Sequence, residues 1–131
     1  MYRTVSFLCA EPVEWEYDDR GDPVTPGGKE LTEQIAAALA GRGCRTSEVE
    51  QHEDYGWSFV AQVGSDTFHQ VVNPVDRDVY LTIEMEGVLL KRLLLRRPQL
   101  SLQRYCDLVG ASLASIPGVS GIQWEEGTSV R

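Results

Sequence analysis

The chain has 131 residues, enough for one domain with a core that buries about two thirds of the unfolded surface. Its 12 basic and 20 acidic side chains give a net charge of -8, which argues against nucleic acid or an anionic membrane as a partner, because both would repel it. Residues 11–54 hold 12 acidic and 4 basic side chains and so account for the whole net charge, which suits a basic protein partner.

Cysteine usage and the N-terminus indicate the compartment. Cys9, Cys44 and Cys106 are far apart in the sequence and lie in apolar patterns, which predicts reduced core thiols in a reducing environment. The first apolar run is too short for a signal peptide, and no stretch is long enough to cross a bilayer. We therefore expect a cytoplasmic protein that forms a single domain over residues 1–131.

The first part of the chain predicts a strand, an irregular connection and a helix. Apolar residues alternate over residues 2–9, as is typical of a half-buried strand. Residues 11–28 contain three prolines and three glycines, so we expect a long connection without regular structure. Thr25 followed by Pro26 resembles a helix start, and apolar residues recur at helical spacing from Leu31 onward.

The middle of the chain predicts neighbouring antiparallel strands. Residues 44–50 are polar and indicate an edge strand. Every second side chain of residues 55–63 is apolar, and three of these are aromatic, which favours a central strand. A tight turn at residues 64–66 leads to a partner strand over residues 67–75, and residues 79–86 alternate in the same way.

The last part predicts a basic segment, a helix and a final strand. Residues 88–97 fit helix and strand templates equally and hold four of the 12 basic side chains, which we interpret as solvated or paired with the acidic half. Apolar residues from Leu102 to Ile116 recur at helical spacing behind Ser101 as a cap. Residues 119–125 predict a short strand.

The grouping of these elements predicts the fold class. The order is β-α-β-β-β-β-α-β, in which strands and helices are grouped rather than alternating. This order favours an α+β fold: a mainly antiparallel sheet of five or six strands with two helices packed on one face.

Catalytic and metal-binding patterns are weak. His52 lies in an acidic turn and His69 on a strand, and neither accompanies a nucleophile motif or a recognised ligand spacing. We therefore expect no enzymatic activity, no metal and no cofactor. The alternative is a small enzyme or ligand-binding domain with a pocket between residues 11–28 and the strand at residues 55–63.

Two segments mix acidic and aromatic side chains, residues 14–19 and residues 52–55. Aromatic side chains anchor protein interfaces, and carboxylates steer a basic partner toward them. The predicted partner-binding residues are Glu14, Trp15, Glu16, Tyr17, Asp18, Asp19, His52, Glu53 and Asp54.

Three short motifs carry a resemblance: PGGKEL at residues 26–31, EDYGWSF at residues 53–59 and IQW at residues 122–124. They resemble those of a group of small, acidic, mostly uncharacterised bacterial proteins, which are similar to immunity proteins. The resemblance implies a protein that neutralises a cognate toxin or effector domain by blocking it, and it brings no catalytic residues. A homodimer through the edge strand at residues 44–50 is compatible with either function.

Overall fold

The computed structural model describes residues 1–10, 15–53, 55–94 and 97–125. The elements in chain order are β1 (Tyr2–Cys9), β2 (Glu16–Tyr17), β3 (Pro23–Thr25), α1 (Lys29–Ala40), β4 (Arg45–Thr46), β5 (Glu50–His52), β6 (Gly56–Val63), β7 (Asp66–Val75), β8 (Asp78–Met85), α2 (Val88–Leu93), α3 (Pro98–Ser115) and β9 (Val119–Trp124).

The fold is α+β, as the sequence predicts, and it is built on one antiparallel sheet. The strand order is β4-β6-β7-β8-β1-β9, and β5 also pairs with β6. The sheet has 7 strands rather than five or six, because the predicted edge strand at residues 44–50 is divided into β4 and β5, which pair with opposite halves of β6. The strands β2 and β3 form a separate hairpin.

The core lies between one face of the sheet and two helices. The apolar stripe of α1 buries Ile35 and Leu39, and that of α3 buries Val109 and Leu113, at the spacing of one helical turn. The side chains below them alternate along the strands, as a half-buried sheet requires. The buried strand residues of this layer are Val5, Phe7, Phe59, Ala61, Phe68, Val72, Val79, Leu81, Ile83 and Met85.

The opposite face of the sheet is polar. Cross-strand pairing places His69 opposite Glu84 and Ser58 opposite Val71, and His69 and Glu84 are exposed. Because side chains alternate between the two faces, this polar face is fixed by the same register that buries the core.

The connection at residues 11–28 contains more structure than the sequence predicts. Residues 16–25 form the β2–β3 hairpin because the Asp18 carboxylate accepts the backbone N–H groups of Arg20 and Asp22, at 2.9 and 3.0 Å. Helix α1 begins at Lys29 rather than at Pro26, because Gly28 has a left-handed φ of 100°.

Residues 88–97 contain a helix, α2, over Val88–Leu93, and α3 begins at Pro98 instead of behind Ser101. Proline suits a first helical position because the N–H it lacks has no partner there. Tyr55 precedes β6 and is 39% exposed, so its predicted place in the buried alternation is wrong. Within the described ranges, no helix is long and apolar enough to cross a membrane.

Candidate functional site

The β2–β3 hairpin presents acidic and aromatic side chains to solvent. Glu16, Tyr17 and Asp19 are exposed, and Tyr17 exposes 61% of its surface. Asp18 is exposed too, but its carboxylate closes the turn by binding backbone N–H groups, so it has a structural task. Trp15 is half-buried.

Two side chains of the sheet hold the hairpin in place. The indole Nε1 of Trp57 donates to the carbonyl of Pro26 at 2.9 Å in a buried hydrogen bond. The amide of Gln51 donates to the carbonyl of Glu53 at 2.8 Å and lies 3.5 Å from the carbonyl of Val24. The acidic segments at residues 16–22 and 48–53 are therefore side by side at one end of the sheet.

Strand β5 separates this hairpin from the polar face of the sheet. Gln51 is in register with Trp57 and reaches toward the hairpin, whereas Glu50 and His52 are in register with Ser58 and Gly56 and line the opposite face. The His52 ring meets Tyr55 edge to face at 5.4 Å. The predicted binding residues thus divide between two opposite faces of the sheet, on either side of the β5 edge.

A groove of about 560 Å³ lies on the polar face, across strands β5 to β8. Eight of its twelve lining residues carry a carboxylate, an imidazole or a hydroxyl group. These side chains belong to Ser47, Glu48, Glu50, His52, Ser58, His69, Glu84 and Glu86. We use the name acidic surface for this groove together with the β2–β3 hairpin and Glu53.

The charges in the groove are largely uncompensated. His69 Nε2 lies 3.0 Å from Glu86 Oε1, and both side chains are about half exposed, at 47% and 60%. Among the residues that the structure describes, the carboxylates of Glu48, Glu50 and Glu84 have no ion-pair partner. A cation that entered the groove would therefore meet carboxylates that are not already neutralised.

The arrangement does not resemble a metal site. Within the described part of the chain, no three His, Cys, Asp or Glu side chains converge closely enough to hold a metal ion. The three cysteines are buried free thiols. Burial raises the pKa of Cys106 to about 11, so its thiol stays protonated and is a poor nucleophile at neutral pH.

The residues predicted from the sequence overlap this surface only in part. Glu16, Tyr17, Asp18, Asp19 and Glu53 are exposed. Glu14 and Asp54 lie outside the described residues.

The missed groove residues are Glu48, Glu50, His69, Glu84 and Glu86. A signal for some of them exists in the sequence. Pairing the predicted strands at residues 67–75 and 79–86 across their short turn would have placed His69 opposite Glu84.

Comparison with known proteins gives no assignment of this surface. No protein-family model matches the chain, and no curated protein matches it either.

Proposed function

We propose that this protein is a non-enzymatic binding domain that neutralises a basic partner protein, in the manner of an immunity protein that blocks a toxin. The observation that carries the proposal is the acidic surface itself. The β2–β3 hairpin lies beside residues 48–53, which are distant from it in sequence, and Glu50 of β5 lines the groove on the opposite face of the sheet. One partner that reached around the β5 edge could therefore contact both the hairpin and the groove.

Charge and exposure support a macromolecular partner. Exposed carboxylates at the rim of an interface attract a basic partner over long range and raise the association rate. Tyr17 and Val24, which are 61% and 52% exposed, add apolar area in the middle of the hairpin carboxylates. Aromatic anchors with a charged rim are typical of protein interfaces.

The groove gives the partner a specific contact. A lysine or arginine side chain that entered between β5 and β8 would face Glu50 and Glu84, whose carboxylates have no described ion-pair partner. Arginine would suit either carboxylate best, because its planar group can bind both oxygens of one carboxylate at once. Occlusion of a toxin's cationic site would follow from this contact.

The test reverses charges on the hairpin without breaking its turn. Glu16→Lys with Asp19→Lys is expected to weaken binding at least tenfold, or about 1.4 kcal/mol, in calorimetric titration of a basic protein captured from the source cells. Asp18 is left unchanged because its carboxylate holds the turn.

The matched control is Asp107→Lys with Glu125→Lys, which makes the same change of charge on exposed positions of α3 and the β9 end. This control is expected to keep nearly the original affinity. Equal losses in both double variants would show that only net charge matters and would remove the assignment to the acidic surface.

A second candidate function is the binding of a small cationic molecule, which the groove volume of about 560 Å³ favours. None of the described residues 15–28 lines this groove, so it is not the pocket expected between residues 11–28 and strand β6. Calorimetric titration with the polyamine spermidine distinguishes the two candidate functions. Saturable binding that Glu50→Gln abolishes would favour a small ligand, and the absence of any heat of binding would favour the protein partner.

A further inference from the structure

Helix α2 exposes its apolar residues to solvent and turns little of its surface to the core. Leu89, Leu90, Leu93 and Leu94 are 73%, 61%, 72% and 58% exposed, whereas Val88 is 7% exposed. In a typical amphipathic helix of a globular protein, the apolar residues face the core and the polar residues face solvent. An exposed apolar cluster of this kind marks an interaction surface.

The four leucines form one stripe with cations beside it. Leu89 and Leu93 are one helical turn apart, as are Leu90 and Leu94, so the two pairs are adjacent on the surface. Lys91 and Arg92 occupy the remaining positions of the same turn. We call these four leucines the leucine stripe.

A basic pocket of about 300 Å³ adjoins the leucine stripe. It is lined by Ser65, Asp66, Lys91, Arg97, Leu100, Ser101 and Arg104. The carboxylate of Asp66 lies 3.4 Å from Lys91 Nζ, so the pocket carries one ion pair and two further cations. The sequence around the pocket is basic too, because residues 87–106 contain five basic and no acidic side chains in a chain of net charge -8.

The leucine stripe lies at the opposite end of the sheet from the β2–β3 hairpin. The hairpin is attached at the start of β6, through Trp57, and α2 is attached beyond its end, through Asp66. Strand β6 has 8 residues, which span roughly 25 Å at about 3.3 Å per residue. This separation is about three Debye lengths at physiological ionic strength.

We propose that α2 and the basic pocket dock the protein on an anionic phospholipid surface. The leucine stripe enters the interfacial region of the bilayer, and Arg92, Arg97 and Arg104 meet lipid phosphates. The hairpin carboxylates lie at the far end of the sheet, where salt screens them from the membrane. Glu86, the groove carboxylate next to α2, already has His69 Nε2 at 3.0 Å.

Two protein occupants fit these observations less well. A second copy that used the same patch would bring the cations of both copies together, which is unfavourable. The acidic surface of a second copy has matching charge, but the aliphatic side chains that line the groove there are only those of Val60 and Val71, which are too few to cover four leucines. A bilayer surface can adapt its shape to a protruding helix, so it can cover all four leucines.

Vesicle co-sedimentation tests the proposal. The full chain is expected to bind vesicles of equal parts phosphatidylcholine and phosphatidylglycerol at least ten times better than vesicles of phosphatidylcholine alone. Leu89→Ser with Leu93→Ser is expected to lower binding to the mixed vesicles at least tenfold, and Arg92→Glu about tenfold. The substituted leucines are exposed, so the variants should retain the circular dichroism spectrum of the parent.

The matched control is Val75→Ser, which replaces an apolar residue that is 50% exposed at the other end of the sheet and should leave vesicle binding unchanged. Three results would overturn the proposal. The first is that the parent chain does not bind the mixed vesicles, and the second is that the leucine variant binds them as well as the parent does. The third is that sedimentation velocity shows self-association through the leucine stripe without vesicle binding.

Discussion

At the scale of single residues, one buried polar pair stands out beneath α3. The Tyr105 hydroxyl donates a hydrogen bond to the Gln70 side-chain oxygen, and the Gln70 amide donates to the carbonyls of Phe59 and Phe68 at 2.9 and 3.0 Å. The Tyr105 ring stacks on Phe68 with centroids 4.1 Å apart. Burial raises the pKa of the Tyr105 hydroxyl, which therefore stays protonated and remains a donor. The pair fixes the position of α3 on the sheet.

Removal of this hydroxyl is expected to destabilise the fold. Tyr105→Phe would keep the stacking but leave the Gln70 oxygen buried without a partner, at a cost of about 1–3 kcal/mol in the free energy of unfolding. Urea denaturation measures this cost. Exposed Tyr80, 41% accessible, is the matched site, and Tyr80→Phe should change stability by less than about 0.5 kcal/mol. Equal stability of the two variants would contradict the role assigned to the pair.

At the scale of elements, the pairing of β6 with β7 depends on the absence of a side chain at Gly56. A Cβ atom there would lie 2.5 Å from the backbone carbonyl oxygen of Val72. Backbone atoms of a central pair of strands cannot move aside without loss of register. An isolated glycine within a strand pattern can mark a close approach of another backbone, but the sequence does not show which strand approaches Gly56.

Gly56→Ala is therefore expected to lower the free energy of unfolding by about 1–3 kcal/mol, because the methyl group would force the two strands apart. Gly41→Ala is the control, since its Cβ would lie 3.5 Å from the nearest helix carbonyl and its φ of -64° suits any residue. That change should be neutral or stabilising by less than about 1 kcal/mol. Thermal unfolding of both variants measures these changes. An unchanged free energy of unfolding for Gly56→Ala would mean that the strands adjust to the methyl group.

Some of the secondary-structure elements could be predicted from the sequence and others could not. Strong alternation predicted β1, β6, β7 and β8, because a sheet that is buried on one face requires a period of two. The β2–β3 hairpin was missed because it depends on one local contact, that of Asp18 with two backbone N–H groups.

The groove was missed for a different reason. Its residues come from four strands and a loop, and they converge only once the register is known. Helix α2 was ambiguous because its apolar residues do not face the core, so the usual link between pattern and burial does not hold there.

At the scale of the whole molecule, charge is arranged along the sheet rather than spread evenly. The hairpin carboxylates lie at one end of the sheet, the groove carboxylates lie across its polar face, and cations gather around α2. Carboxylates that are distant in sequence, such as those of Glu50 and Glu84, line one groove and so repel each other more in the folded state than in the unfolded chain.

Salt is therefore expected to stabilise the protein. An increase of ionic strength from about 0.01 M to about 0.2 M would screen this repulsion, and we expect the melting temperature to rise by about 2–4 °C, which corresponds to roughly 1 kcal/mol. Scanning calorimetry provides the measurement. Glu50→Gln with Glu84→Gln should reduce the response, and a melting temperature that falls with salt would show that ion pairs outweigh the repulsion.

The outer edge of β6 has a consequence for behaviour at high concentration. Two short strands cover it in succession, and between them Ser47 exchanges two hydrogen bonds of 2.8 Å with the backbone of Val60. At the other edge β9 contains Gly121 with a left-handed φ of 63°. Neither edge offers a long regular template for strand addition, so the chain should resist growth into fibrils, and pairing between copies through residues 44–50 is disfavoured.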